Sequence, residues 1–374
     1  LKELLGETIQ TMLEGEIEEE LGYSKYNYEE KDTQNSRNGY SPKSVRSEYG
    51  EIELNIPRDR HNEFEPKIIP KYQREITGIE GQIIALYAKG MSNRDIEDHL
   101  KNIYGIEVSA TMISKITDKI IPEIKEWQTR QLEEVYPIVF MDAIHYSVRQ
   151  DGVVIKKAVY ILIGINLKGE KEVLGFWIGE NESSKFWLNI LNEIGNRGVE
   201  DILIISVDNL KGFSEAIKGK YPNSGIQKCI VHQIRNSIKY VASKDMKEFT
   251  KDLKTIYKAI TLEQAADNLL HLEEKWGKKY RAAIKSWQDN WEELTTYFKY
   301  PEEIRRLIYT TNSIESFNRQ LRKYTKTKSS YPTDDSLSKS IYLSIKEITK
   351  KWTGKVQNWG QIVSQLSIYF EGRM

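Results

Sequence analysis

Cysteine is almost missing: Cys229 stands alone in a chain of 374 residues. No intrachain disulfide can form, which excludes the stapled scaffolds of small secreted proteins and fits a reducing compartment, the cytoplasm. No apolar run approaches the roughly 20 residues that a membrane span needs, and no signal peptide is visible. Net charge is missing too, because 55 Lys and Arg balance 55 Asp and Glu. The total therefore says nothing about a polyanionic partner, and only the distribution can. The chain opens on Leu1 rather than Met, which leaves room for preceding sequence. Its length suits two or three domains with ample core.

The charges that cancel overall are segregated along the chain. Residues 1–30 hold nine Glu against Lys2 and Lys25, whereas residues 316–355 carry ten basic residues against three acidic ones. A basic segment close to a reactive site favours a polyanionic substrate.

Residues 1–22 place Leu4, Leu5, Ile9, Met12, Leu13, Ile17 and Leu21 at helical spacing against an acidic face. Such a helix has no core of its own and must pack within its domain or across a dimer. From Arg37 to Arg60 the chain alternates around Gly50 with Ile52, Leu54 and Ile56 on one face, the pattern of a small hairpin. Arg58 and Arg60 at its end suit either phosphate contact or a solvated surface. Residues 75–121 read as three short helices with Ser92 and Ser109 as N-caps and a tight turn at Gly90-Met91. A plain three-helix bundle fits that pattern, and so does a helix-turn-helix. In the second case Ser109, Thr111, Ser114 and Lys115 of the third helix face the DNA major groove.

A charged stretch at 122–134 reads as a linker. Beyond it, YPIVFMDAIHYSVR at 136–149 is an apolar strand that carries an acid, Asp142, into a core; a turn at Gln150-Asp151-Gly152 returns the chain as a partner strand. DILIISV at 201–207 is a continuous apolar run, the mark of a strand covered on both faces, and it ends directly in Asp208. Acids at the ends of central strands of an α/β sheet lie where such folds bind ligands. Residues 243–305 are helical in pattern and rich in Trp, with Trp287 and Trp291 suited either to a bundle core or to stacking on a distorted base. Glu315 then falls in the first turn of a helix, capped by Asn312 or Ser313, followed by Arg319, Arg322, Lys323, Lys326 and Lys328. Those five can contact the DNA strand whose phosphate meets the acids, or simply face solvent.

Three acids on separate elements suit two-metal phosphoryl transfer, in which cations about 4 Å apart are bridged and flanked by oxygen ligands. Mg²⁺ favours such a set because it takes few carboxylates and keeps several waters. Zinc does not fit, since one cysteine and scattered histidines supply no second ligand pair at the required spacing.

The segments LGY at 21–23, RNGY at 37–40, PRDR at 57–60, RGVEDILIISVDNLKGF at 197–213, QKCIVHQIRN at 227–236 and IYTTNSIESFNRQLRK at 308–323, in this order, resemble the Mutator superfamily of bacterial insertion-sequence transposases. The resemblance runs along nearly the whole chain. It implies a multidomain α/β protein with a ribonuclease H-like mixed-sheet catalytic core at 135–374, interrupted by an all-helical insertion at about 243–305. The N-terminal DNA-binding region divides into 1–72, for dimerisation or DNA end binding, and a helix-turn-helix at 73–121. Asp142, Asp208 and Glu315 carry over as the catalytic metal ligands, with two Mg²⁺ or Mn²⁺ ions. The pattern Cys229-x-x-His232 carries over as a feature beside the site, or as a buried structural pair.

The expected activity is binding of terminal inverted repeats, metal-dependent cleavage of double-stranded DNA and strand transfer into target DNA, by a replicative route through a circular intermediate. The expected setting is a homodimer or larger synaptic assembly in the cytoplasm, associated with the nucleoid, with no membrane and no nucleotide cofactor. Two competing expectations are an inactive transposase-derived DNA-binding protein and a ribonuclease H-like nuclease without strand transfer.

Overall fold

Hydrophobic alternation and helical periodicity resolve in the computed structural model into mixed α/β architecture. It describes residues 2–24, 33–47, 50–69, 78–104, 108–179, 183–208, 212–309 and 312–374. The chain divides into two units, residues 1–87 with 91–118 and residues 88–90 with 119–374.

In the first unit, α1 (Lys2–Leu21) precedes an antiparallel hairpin of β1 (Arg37–Ser47) and β2 (Gly50–Asp59). Leu5, Ile9 and Leu13 share a core with Val45, Ile52 and Leu54, while Ile17 and Leu21 pack with Tyr23. The apolar stripe of α1 is thus covered by the hairpin of its own unit, at a gain of about 1.5–3 kcal/mol per fully buried aliphatic side chain. Arg37 ties the hairpin to the acidic face of α1 through Glu14 at 2.9 Å and Glu18 at 3.2 Å. Arg58 and Arg60 are exposed.

Three helices follow, α2 (Gly78–Ala88), α3 (Asn93–Tyr104) and α4 (Ala110–Asp118); the expected start of the first at Glu75 lies outside the described residues. Ser92 caps α3 reciprocally: its Oγ accepts from the Asp95 amide at 3.2 Å, and Asp95 Oδ2 accepts from the Ser92 amide at 3.0 Å. Ser109 Oγ accepts from the Met112 amide at the start of α4. Gly90 supplies the positive φ of 92° between the first two helices, where a Cβ would be strained.

The second unit opens with a correction. Residues 122–134 are not an irregular linker, because α5 (Ile120–Thr129) occupies most of them, with Ile120 and Ile124 one turn apart and buried. A five-stranded sheet comes next: β3 (Val135–Gln150), β4 (Val153–Ile165), β5 (Lys171–Gly179), β6 (Asp201–Val207) and β7 (Gly225–Lys228). Their order is β5-β4-β3-β6-β7, antiparallel from β5 to β3 and parallel from β3 to β7. Asp151 and Gly152, both at positive φ, make the two-residue turn between β3 and β4.

Alternation assigns the two faces of the sheet. Val139, Met141, Ile205 and Val207 point into one core with Trp187 and Ile190 of α6 (Ser184–Asn196) and Phe213 and Ile217 of α7 (Phe213–Lys220). Ser206, between two of those residues, points the other way and donates to the Ile308 carbonyl at 3.1 Å.

After β7 the chain is helical: α8 (Ile230–Ile238), α9 (Met246–Tyr257), α10 (Leu262–Trp276), α11 (Arg281–Asp289), α12 (Trp291–Leu294), a 3-10 turn at Thr296–Lys299, and α13 (Glu302–Ile308). The last three are α14 (Asn312–Thr325), α15 (Asp334–Thr349) and α16 (Trp359–Tyr369). Among the described residues no helix is long and apolar enough to cross a membrane.

Candidate active site

Strand register brings the first two acids together. β6 runs parallel to β3 from Val135 opposite Asp201 to Met141 opposite Val207. The next residues, Asp142 and Asp208, therefore stand abreast and, by alternation, both leave the sheet on the face away from the Met141 and Val207 core. There β6 stops, while β3 continues beside β4 to Gln150. Asp142 is 6% exposed and Asp208 about a fifth exposed at its side chain (19%). Burial, together with the nearby Asp208 carboxylate, pushes the Asp142 carboxyl up to about 6. Two carboxylates held this close repel each other unless a proton or a cation lies between them, and their oxygen atoms suit a hard divalent ion.

Cys229 and His232 acquire separate roles. The Cys229 amide donates to the Val207 carbonyl at 2.8 Å, which prolongs the β6–β7 pairing by one residue. Its sulfur then accepts weakly from the His232 amide at 3.5 Å and caps α8. That spacing turns His232 toward the acids: its Nδ1 lies 2.9 Å from Asp208 Oδ1, an ion-pair contact whose angle falls short of a good hydrogen bond. Burial alone would lower the imidazole pKa, but the Asp208 carboxylate and the Cys229 sulfur prevail and push it up to about 10. His232 is thus a cation at neutral pH, a counter-ion for Asp208. Ligand atoms of Asp142, Asp208 and His232 all lie within 4.8 Å of one another.

Glu315 is not in that cluster and joins the site through intermediaries. In the first turn of α14, its Oε1 is 3.0 Å from Arg235 Nη1, and Arg235 lies one turn beyond His232 on α8 with 3.5 Å between Nη1 and His232 Nε2. The side chains of Asn312 and Ser313, expected to cap α14, lie outside the described residues. One turn after Glu315, Asn318 donates from Nδ2 to Asp142 Oδ2 at 2.5 Å, while Oδ1 of Asp142 accepts from the Ala143 amide at 2.8 Å. Asn318 and Arg235 were not singled out from the sequence. Helical spacing was the available signal, since each stands three residues after a residue that was.

The other expected site residues fall variously. Arg319, Arg322, Lys323 and Lys326 are exposed on and just after α14, and Lys328 is partly buried with its ammonium over the Tyr331 ring at 5.4 Å. Ser109, Thr111 and Lys115 are exposed on α4 or at its cap, and Ser114 is half-buried. Base stacking by Trp287 is corrected: the ring is wholly buried and its Nε1 donates to Ser237 Oγ at 2.8 Å, so it anchors α11 against α8 and no base can reach it. Trp291 is half-buried.

Comparison with known proteins gives the family. A family model described as "Transposase, Mutator family" matches residues 1–355. The transposase for insertion sequence element ISRM3 of Rhizobium meliloti is 41% identical over 374 residues, covering 100% of this chain and 92% of its own length. A probable transposase for an ISRM3-like element of Sinorhizobium fredii shows the same 41% identity and the same coverage. The transposase for insertion sequence element IS256 in transposon Tn4001 of Staphylococcus aureus is 29% identical, covering 94% of this chain and 90% of its own. Among solved structures, the Drosophila P element transposase strand transfer complex is 12% identical with a TM-score of 0.29, covering 79% of this chain and 86% of that one, a likeness too slight to bear on the fold.

Proposed function

The chain belongs to the Mutator family of transposases, and from that premise we propose that Asp142, Asp208 and Glu315 form the site at which it cuts and joins DNA. The observation that carries the proposal is the register of β3 and β6, which sets the buried Asp142 and the half-buried Asp208 abreast just where β6 ends. The sheet order, three antiparallel strands continued by two parallel ones, supports a ribonuclease H-like core with one acid within its first strand and one at the end of its fourth.

The residues suit Mg²⁺ or Mn²⁺, two ions in all, because the donors are carboxylates and because the buried Oδ1 of Asn318, beside Asp142, lacks a hydrogen-bond partner among the described residues. Bound there, the ions would activate the attacking oxygen and steady the leaving one. Asp142 and Asp208 present oxygens from a rigid sheet, and Glu315 presents its own from the helix that Asn318 ties to Asp142. His232 keeps Asp208 oriented. Water attacks the phosphodiester at the element end, breaking its bond to the departing 3′-oxygen, which leaves with a proton as a 3′-hydroxyl. In the second step that hydroxyl attacks a target phosphodiester and displaces another 3′-oxygen, so that one P–O bond forms as one breaks.

The substrate is double-stranded DNA, with the terminal inverted repeats read by the α2–α4 unit through Ser109, Thr111, Ser114 and Lys115. Arg58, Arg60 and the basic residues from Arg319 to Lys328 meet phosphates. Joining two ends calls for a dimer or larger assembly, working in the cytoplasm at the nucleoid. The test is cleavage of a labelled duplex that carries the element's own terminal repeat, with Mn²⁺ or EDTA, comparing wild type with Asp142→Ala. Metal-dependent nicking that the variant loses, with end binding retained, is the expected result. Equal nicking by both proteins would remove Asp142 from the site, and binding without any nicking under paired-end conditions would favour a DNA-binding relic.

A further inference from the structure

One polar side chain in the site makes half of the bonds it is built for. Asn318 is 7% exposed, its Nδ2 donates to Asp142 Oδ2, and its Oδ1 is buried without a partner among the described residues. The orientation of the amide is settled by its neighbour, since an ionised carboxylate only accepts and the nitrogen must therefore face Asp142. A buried carbonyl oxygen left unbonded is destabilising, and a partner that the bound site supplies would remove that cost.

The residue type is also informative. Lysine or arginine at this position would neutralise Asp142 and compete with a cation; aspartate would repel it. Asparagine fixes the carboxylate while leaving the charge of the site intact. Glu315 lies one turn earlier on the same helix, so a single rigid element holds the third acid and orients the first.

We infer that Asn318 is a positioning residue for the metal site: Nδ2 locks the rotamer of Asp142, and Oδ1 accepts a hydrogen bond from a water on the bound divalent cation. The inference rests on the reading of the acids given above. Partners of metal ligands typically contribute 10–100-fold to metal affinity.

The test is a Mn²⁺ titration of the full chain by calorimetry and by electron paramagnetic resonance, without DNA, comparing wild type with Asn318→Ala and Asn318→Leu. The two variants differ in volume, so at least one is expected to keep the wild-type melting temperature within a few degrees. The expected result is a loss of Mn²⁺ affinity of about tenfold or more in each folded variant, with metal-free binding to the terminal repeat within about twofold. A merely structural Asn318 would lower the melting temperature and leave Mn²⁺ affinity per folded molecule unchanged, and that outcome overturns the inference alone. A wild type that binds no Mn²⁺ overturns the metal reading of the acids and this inference with it.

Discussion

Strand β6 begins on one aspartate, Asp201, and is followed directly by another, Asp208, and the two are treated differently. Asp201 at the start receives Arg373 in a two-pronged bond, Nε and Nη2 each donating at 2.8 Å, and the guanidinium also reaches the Asn223 carbonyl. Asp208, just past the other end, faces a second acid, with His232 Nδ1 at 2.9 Å from its Oδ1. A carboxylate matched to a planar guanidinium has used up its acceptor geometry and serves the fold. Asp142, set beside Asp208, has its pKa raised instead, by burial first and by the neighbouring carboxylate second. The fold thus matches an acid to a guanidinium at one end of the sheet and sets an acid beside another acid at the other.

The widest separation between the two ends is expected from matched substitutions. Asp208→Asn should lower the cleavage rate at least about 10³-fold, equivalent to about 4 kcal/mol of barrier, a loss far beyond its effect on stability, where relief of like-charge repulsion on Asp142 offsets loss of the His232 ion pair. Asp201→Asn should cost about 1 kcal/mol of stability, discounted because both partners are about a quarter exposed, and leave cleavage within about twofold. Melting curves and single-turnover cleavage on both variants check this. A crossed result, with Asp201 needed for chemistry beyond its effect on stability, would collapse the distinction.

A second expectation sharpens it through pH. Because the folded state raises the Asp142 pKa from 3.8 to about 6, the folded metal-free protein holds this proton more tightly than the unfolded chain does. Its contribution to stability is present below about pH 4 and is lost as pH rises through 6. Melting in EDTA should therefore show wild type losing ground to Asp142→Asn between pH 4 and pH 7. Mn²⁺ competes with the same proton, so apparent affinity should fall about tenfold per pH unit below 6. Affinity independent of pH over that range would show that no such proton is displaced.

The smallest effect concerns the third acid. Arg235 is 55% exposed at its side chain and pairs with Glu315, so Arg235→Ala should leave stability nearly untouched. It should tighten Mn²⁺ binding about two- to fivefold, because a competing cation leaves the site, and calorimetry would read that change. Weaker binding in the variant would mean that Arg235 positions Glu315 rather than competing for it.

Much of this was legible in the chain itself. The β3–β4 turn, the two serine caps and the acids at Asp142 and Asp208 all follow from alternation and turn chemistry that act within a few residues. Residues 122–134 misled because their charges outnumber their apolar positions, yet Ile120 and Ile124 sufficed to form α5. The tryptophans were ambiguous for a different reason: an aromatic among leucines and lysines looks alike in a core and at a binding face, and only the Trp287 to Ser237 bond decided one of them.

The sequence by itself determined which residue types were available for the chemistry, and roughly which strand or helix would carry each. It did so because secondary structure is set largely by local periodicity. Only the tertiary structure decided that Asp208 takes His232 as counter-ion, that Asn318 grips Asp142 and that Arg235 reaches Glu315. Those meetings depend on strand register and on how α8 and α14 dock beside the sheet, and side chains brought together across such distances in sequence leave no periodic trace in it.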